Sequence, residues 1–287
     1  MNDKNVGHPR MVARGGTIKA RLGLLRKSVA ERPEKVLIPA VFFTVVIGWE
    51  LLVRLLHIPR ILLPAPSAIA RSLFDQLVYG SMLRHLGVTT YENLAGYFIG
   101  AGLGLLIGIL VAQFPLVEKT FFPYVVAFET LPKVAIAPIV IIWLGFGFSS
   151  KIAITAMIVF FPVVVNTMTG LHSTDPQYIE MLTAFTATKW QIFRVVKVPM
   201  ALPYIFAGLD IASVLGVIGA IVAEFVGSRA GLGYLILHRM FMMDMPTVFA
   251  TLIVLSLMGY SMHLAVVAIR RKVLFWAETE VEQVASA

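Results

Sequence analysis

Six runs of this chain are too long and too apolar for a fold that lives in water. They lie near Val36–Leu56, Val88–Ala112, Phe121–Leu144, Ile152–Leu171, Leu202–Ala223 and Val248–Ile269, and a helix needs about 20 residues to cross a bilayer. Composition agrees. Of the 287 residues 58% are hydrophobic and 14% charged, where a soluble domain carries about a quarter charged. The first run starts too late and is too long for a cleaved signal peptide, and no small-residue cleavage site follows it. The expectation is an all-α membrane protein with one six-span domain over residues 36–272, a basic tail over 1–35 and a short tail over 273–287.

Six spans put both termini on one side. Residues 1–35 hold nine Lys or Arg, and Arg270, Arg271 and Lys272 follow the last run, so the positive-inside rule predicts cytoplasmic ends. Arg60, Arg71 and Arg84 fall on the opposite side and weaken the bias without reversing it. In the tail, Ile18, Leu22, Leu25 and Val29 recur at helical spacing among Lys19, Arg21, Arg26 and Lys27. That pattern reads either as an amphipathic helix on anionic lipid or as a disordered topogenic tail. The net charge of +8 comes mostly from this tail. Because the tail abuts a span, no nucleic-acid partner is expected.

A polar island, Thr174–Pro203, separates the fourth and fifth runs. Asp175 before Pro176 is a helix start: a capping carboxylate, then a proline where a missing N–H loses nothing. Thr188, with Gln191 three residues on, is a capping box for a second helix. Pro199 and Pro203 are expected to limit that helix. Two short helices between spans make a compact knob suited to docking on a soluble partner, and Lys189, Arg194 and Lys197 place it on the cytoplasmic side.

The island resembles the cytoplasmic "EAA" coupling loop of permease subunits of bacterial ABC importers. Glu180 matches the leading glutamate, Ala187 and Thr188 match the small-polar pair, and Val198–Pro203 matches the apolar-Pro-x-x-x-Pro close. Met181 and Leu182 replace the usual alanines, and Thr186 stands at the usual glycine, where a positive φ disfavours a β-branched residue. The resemblance covers roughly Ile38 to Trp276. Leu62–Ile69, Leu131–Gly147, Phe160–Leu171 and Ala223–Ile236 are similar to the branch importing nitrate, sulfonates, taurine and thiamine or riboflavin precursors. It implies the type I importer permease fold and an inner-membrane location. It implies as partners two ATPase subunits, a second permease copy in a homodimer, and an extracytoplasmic binding protein. It implies no cofactor in this chain, ATP and Mg being bound by the ATPase. It also gives Glu180, Ala184, Thr186, Ala187, Thr188 and Pro199 the ATPase-coupling role.

Within the spans, Gly96, Gly100, Gly104 and Gly108 repeat every four residues, as do Gly208, Ala212, Gly216 and Ala220. Such small faces let helix backbones approach closely in lipid; they serve either as sliding surfaces or as static packing. Pro132 and Pro138 interrupt the third run, and Pro162 breaks the fourth as a simple kink. Ionisable groups inside spans are costly and point to function. The candidate translocation path is Glu129, Lys133, Asn166, Asp210 and Glu224. Glu129 and Lys133, four apart, either pair or line the path. Glu50 and Arg54 form a structural pair, and His263 is an interhelical hydrogen-bonder. His8, His57, His85, His172 and His238 fall in tails or connectors. Carboxylates outnumber cations along the path, which leans toward a neutral or cationic ligand such as an aminopyrimidine precursor and away from nitrate or a sulfonate.

No catalytic constellation is present. The chain has no G-x-x-x-x-G-K-[ST] loop, no H-E-x-x-H and no G-x-S-x-G, and without cysteine it has no thiolate metal site. The expectation is a non-enzymatic, metal-free permease working by alternating access. The alternative is a self-sufficient proton-coupled carrier using Glu129, Asp210 and His263, against which the coupling loop argues.

Overall fold

The computed structural model describes residues 34–276, and every element among them is a helix. The expected tail helix at Ile18–Val29 lies outside the described residues. In chain order the helices are α1 (Glu34–Leu55), α2 (Pro66–Val78), α3 (Met82–Gln113), α4 (Pro115–Thr130), α5 (Lys133–Leu144) and α6 (Phe148–His172). They continue with α7 (Pro176–Ala184), α8 (Lys189–Ile192), a π-turn (Phe193–Lys197), α9 (Val198–Gly227), α10 (Leu232–Phe241) and α11 (Met245–Val273). Among the described residues five helices are long and apolar enough to span a membrane, and the α4–α5 pair makes a sixth if it counts as one broken span. The expected all-helical, six-span plan therefore holds, with a changed third member.

That third span does not run straight. It bends by 92° between α4 and α5. The break falls at Leu131 and Pro132, because a residue before proline is driven out of the helical region; Leu131 is extended, with ψ 138. Pro138, expected to interrupt the run too, sits inside α5. Pro162 likewise does not break α6, which is continuous from Phe148 to His172. The expected stop at Pro199 and Pro203 is also corrected. Lys189–Gly227 forms one continuous helical span, with Pro199 in the first turn of α9 and Pro203 inside it. Helix ends need no glycine at three points. His57, Thr186 and Met243 all have positive φ, of 50, 60 and 59, and each closes a helix with the paired 6→1 and 5→2 bonds of a Schellman turn.

Residues 34–59 together with Ala65–Ser67 form one compact unit, and Arg60–Pro64 with residues 68–276 another. In the first, the expected Glu50–Arg54 pair is present, with Arg54 Nε 2.6 Å from Glu50 Oε1. The same carboxylate accepts from the backbone N–H of Ser67 at 3.0 Å and from its hydroxyl at 2.8 Å.

The second unit is built around α6, packed between α3 on one side and α9 on the other. A Cβ on Gly96 would lie 2.5 Å from the Thr155 side chain, on Gly100 2.3 Å from the Ala156 carbonyl oxygen, on Gly104 2.9 Å from that of Phe160 and on Gly108 2.8 Å from Thr167. All four glycines therefore abut one face of α6. From the other side, a Cβ on Gly208 would meet Asn166 at 2.6 Å and one on Gly216 would meet Val159 at 3.2 Å, while Ala212 and Ala220 are fully buried. Lipid offers no hydrophobic drive for helices to pair, so close backbone approach supplies the dispersion that holds them.

Replacing Gly100 by valine forces a branched side chain into the Ala156 backbone, which cannot move without shifting α6. The expected loss is about 2 kcal/mol, read as a lowered thermal midpoint of the purified protein in detergent. The control Gly102→Val, where a Cβ meets nothing within 4 Å, should leave the midpoint unchanged.

Candidate functional site

Three polar regions stand out against the apolar spans. The first is the knob between α6 and α9. Asp175 Oδ1 accepts from the Gln177 N–H at 2.9 Å and Pro176 opens α7. Thr188 and Gln191 form the full capping box: Gln191 Oε1 accepts from the Thr188 N–H at 2.7 Å, and Thr188 Oγ1 from the Gln191 N–H at 3.3 Å. Between them, the Thr186 N–H donates to the Thr183 carbonyl and the Ala187 N–H to that of Leu182. Thr186 thus takes the left-handed conformation at the position where glycine is usual. Helix α7 buries none of its nine residues. Glu180 and Ala184 are exposed, as are Tyr178, Met181, Phe185 and Trp190, the last two at 75% and 66%. A helix this short is marginal in water without a packing partner. The wide π-turn that follows lets the chain pass Pro199 without a break, since Val198 bonds back five residues to Phe193.

The second region lies at the opposite end of the α3–α6–α9 core, around Glu224. Helix α10 begins with Gly231 as its N-cap, and the first N–H groups of any helix lack intrahelical partners. Here four successive donors are met by three side chains from two spans. The Gly231 N–H donates to His85 Nδ1 at 3.0 Å and the Leu232 N–H to Thr89 Oγ1 at 2.7 Å. The Gly233 and Tyr234 N–H groups both donate to Glu224 Oε2, at 2.6 and 3.3 Å. The Thr89 hydroxyl in turn donates to Glu224 Oε1 at 2.7 Å. A carboxylate at a helix N-terminus is also favoured by the helix dipole. Gly231 has φ +115 and a Cβ there would lie 2.2 Å from the Glu224 carboxyl carbon, so the site admits only glycine. Glu224, expected along the path, is 1% exposed and enclosed in this cap. His85, expected in a connector, is a buried member of α3.

Beside the cap lies an ion pair that the sequence reading omits. Lys151 Nζ is 3.2 Å from Glu92 Oε1, and both side chains are buried. Neighbouring polar atoms have no protein partner: both ends of the Asn93 amide and the Thr155 hydroxyl are enclosed without a hydrogen bond. Glu92 falls inside the second apolar run, so the cost rule that selects Asp210 selects it as well. Lys151 stands one residue before the fourth run, where nothing distinguishes it from an end-of-span lysine.

The third region is near the middle of the spans. Lys133 does not pair with the Glu129 carboxylate. Its ammonium donates to the Glu129 main-chain oxygen at 2.7 Å and lies 5.0 Å from the centre of the Phe161 ring, so it satisfies a carbonyl freed by the break at Pro132. Asn166 Nδ2 donates to the Pro162 oxygen at 2.8 Å, and the Asn166 side chain packs where Gly208 leaves room. Asp210 finds its partner on α11: His263 Nδ1 lies 2.5 Å from Asp210 Oδ1. Tyr97 donates to the adjacent Leu209 carbonyl at 3.1 Å. Among the described residues no group of three or more His, Cys, Asp or Glu could hold a metal ion.

Comparison with known proteins adds a family. The sequence pattern of the family described as "binding-protein-dependent transport system inner membrane component" matches residues 104–275. The chain is 37% identical to the formylaminopyrimidine transport permease protein ThiX of Halalkalibacterium halodurans over 251 residues, covering 87% of this chain and all of that one. It is 31% identical to the riboflavin transport system permease protein RibX of Chloroflexus aurantiacus, over 83% and 89% of the two chains. In fold it is similar to a chain of the inward-facing MetNI methionine ABC transporter, with a TM-score of 0.59 at 22% identity, over 67% of this chain and 95% of that one.

Two variants test these local readings. Thr186→Gly should stabilise the knob by about 1 kcal/mol, because glycine adopts the left-handed turn without the Cβ clash. Slower hydrogen exchange of the amides of 176–187 would register it; unchanged exchange would contradict it. Gly231→Ala drives a methyl into the Glu224 carboxyl and should destabilise the protein by about 2 kcal/mol. Protection should be lost first across 231–241, with the knob unaffected.

Proposed function

Because the chain belongs to the family of inner-membrane components of binding-protein-dependent transport systems, we propose that it carries a small nitrogen-bearing nutrient through the membrane by alternating access. It is the transmembrane permease subunit of an ABC importer. The observation that carries the coupling reading is α7: a short helix, capped at its start and closed by a Schellman turn, with no residue buried in its own chain. Such a surface is complete only against a partner.

In this reading α7 docks in a cleft of an ATPase subunit. Glu180 accepts hydrogen bonds there, and Ala184, Thr186, Ala187 and Thr188 form the tip. Two ATPase subunits bind and hydrolyse ATP, with Mg, on the cytoplasmic side, where both termini of this chain also lie. Two permease copies form a homodimer, and an extracytoplasmic binding protein delivers the substrate. Closure of the ATPase pair pulls on the knobs; α8 and α9, being one continuous helix, carry the displacement into the spans. This chain performs no covalent step. The acidic balance of its mid-span groups and its likeness to a formylaminopyrimidine permease support a pyrimidine-type or other vitamin-precursor substrate ahead of nitrate, taurine or a sulfonate.

Glu180→Lys reverses a charge on the docking face and leaves every span untouched. The expected outcome is normal membrane insertion with loss of substrate uptake per ATP hydrolysed, on the order of tenfold, as for truncation of a charged interface contact. Uptake at the unaltered rate would remove Glu180 from the coupling interface.

A further inference from the structure

The Asp210–His263 pair is unlike Glu224 and the Glu92–Lys151 pair, because it is neither enclosed nor used up. Glu92, Glu224 and Lys151 are sealed among α3, α6 and α9. The Asp210 and His263 side chains keep 25% and 38% of their surface open. Asp210 lies about 18 Å along α9 from its start by helical rise, and His263 about 15 Å from the end of α11, so the pair sits deep within the spans. A carboxylate left partly open to hydrocarbon at that depth is costly even on lenient scales. The cost disappears if the pair faces the interior between two permease copies.

Its chemistry is directional. His263 Nδ1 lies against Asp210 Oδ1, which occupies one of the two carboxylate oxygens. Asp210 Oδ2 has no partner among the described residues. A carboxylate oxygen is thus left open beside the imidazole ring. The ring of Tyr260, itself 60% exposed, stacks on His263 with centroids 6.4 Å apart and adds a flat apolar face. The surrounding groups are not cationic: Tyr97 turns its hydroxyl to the Leu209 carbonyl and Ser213 turns its own to the Asp210 carbonyl. An acceptor-only anion such as nitrate or a sulfonate meets repulsion here. A planar ligand with N–H donors meets a carboxylate acceptor and a stacking surface.

We propose that Asp210 and His263, with Tyr260, form a specificity-determining contact in the translocation path that takes planar, N–H-donating heterocycles and disfavours oxyanions. The inference rests on the permease reading above and adds to it a site and a ligand class.

The test uses the complete importer, with its ATPase and binding-protein subunits, in proteoliposomes. The probes are radiolabelled formylaminopyrimidine and taurine, and substrate moved per ATP hydrolysed is read together with the intactness of the complex. The wild type should move the pyrimidine and not taurine. Asp210→Asn and His263→Gln, near-isosteric changes, should each lower pyrimidine moved per ATP by about tenfold, the scale of one hydrogen bond to a charged group. Asp210→Glu, which keeps the carboxylate, should restore most of it. Unchanged transport in both variants overturns the proposal, as does dissociation of the complex, which would mark the pair as structural. Wild-type uptake of taurine in place of the pyrimidine overturns the ligand class alone. Absence of ATP-dependent uptake of either probe defeats the proposal, and if the binding protein is shown to load the probe it defeats the importer reading as well.

Discussion

Helix α6 is gripped from two sides by faces that carry almost no side chain, and most of the second unit follows from that grip. Glycines of α3 lie on its backbone along one side, and Gly208, Ala212 and Ala220 of α9 line the other. In lipid, helices gain nothing by hiding apolar surface from apolar surroundings, so contact area must come from proximity. Small residues permit that proximity and also fix rotation, since a helix turned by one residue would present a leucine or isoleucine to the same backbone. The knob hangs between the α6 and α9 ends of this triad, and the polar cap sits at its other end.

At that other end, polar residues do what small ones cannot. Helix α10 starts inside protein, where water cannot satisfy its first N–H groups, and each such group left alone would cost on the order of 1–3 kcal/mol. His85, Thr89 and Glu224 take all four donors from Gly231 to Tyr234. The Glu224 carboxyl is met by donors and a helix end, and that of Glu92 by Lys151. An enclosed acidic group in a span is thus not by itself a sign of passage. Exposure and an unfilled hydrogen-bonding valence separate Asp210 from Glu224, although the same cost argument picks out both.

Much of this was legible from residue types and spacing. Asp175–Pro176 and Thr188–Gln191 announce helix starts because capping is local chemistry. The four-residue glycine repeat announces a packing face because its period is that of the helix. What remained hidden depends on geometry that spacing does not encode. Prolines at 132, 138, 162 and 199 look alike in the sequence, yet only Pro132 breaks a helix. Pro199 falls in the first turn after a π-turn, Pro138 stands exposed within α5, and Pro162 is buried within α6. The cap of α10 joins residues 85, 89, 224 and 231–234, distant in sequence, and the Asp210–His263 contact joins two spans. Only their packing brings these together.

The π-turn at Phe193–Lys197 sets the angular phase between the knob and the spans. It holds one residue more per turn than the helix on either side, so it advances everything after it by about 100° relative to an uninterrupted α-helix. A single-residue deletion within it would leave every cap, every small-residue face and every span length intact. It would nevertheless rotate α9 as a body relative to the surface that Trp190 and Phe185 present. Because Asp210 of α9 meets His263 of α11, such a deletion is a change of azimuth that would part the two while leaving the sequence of each span intact.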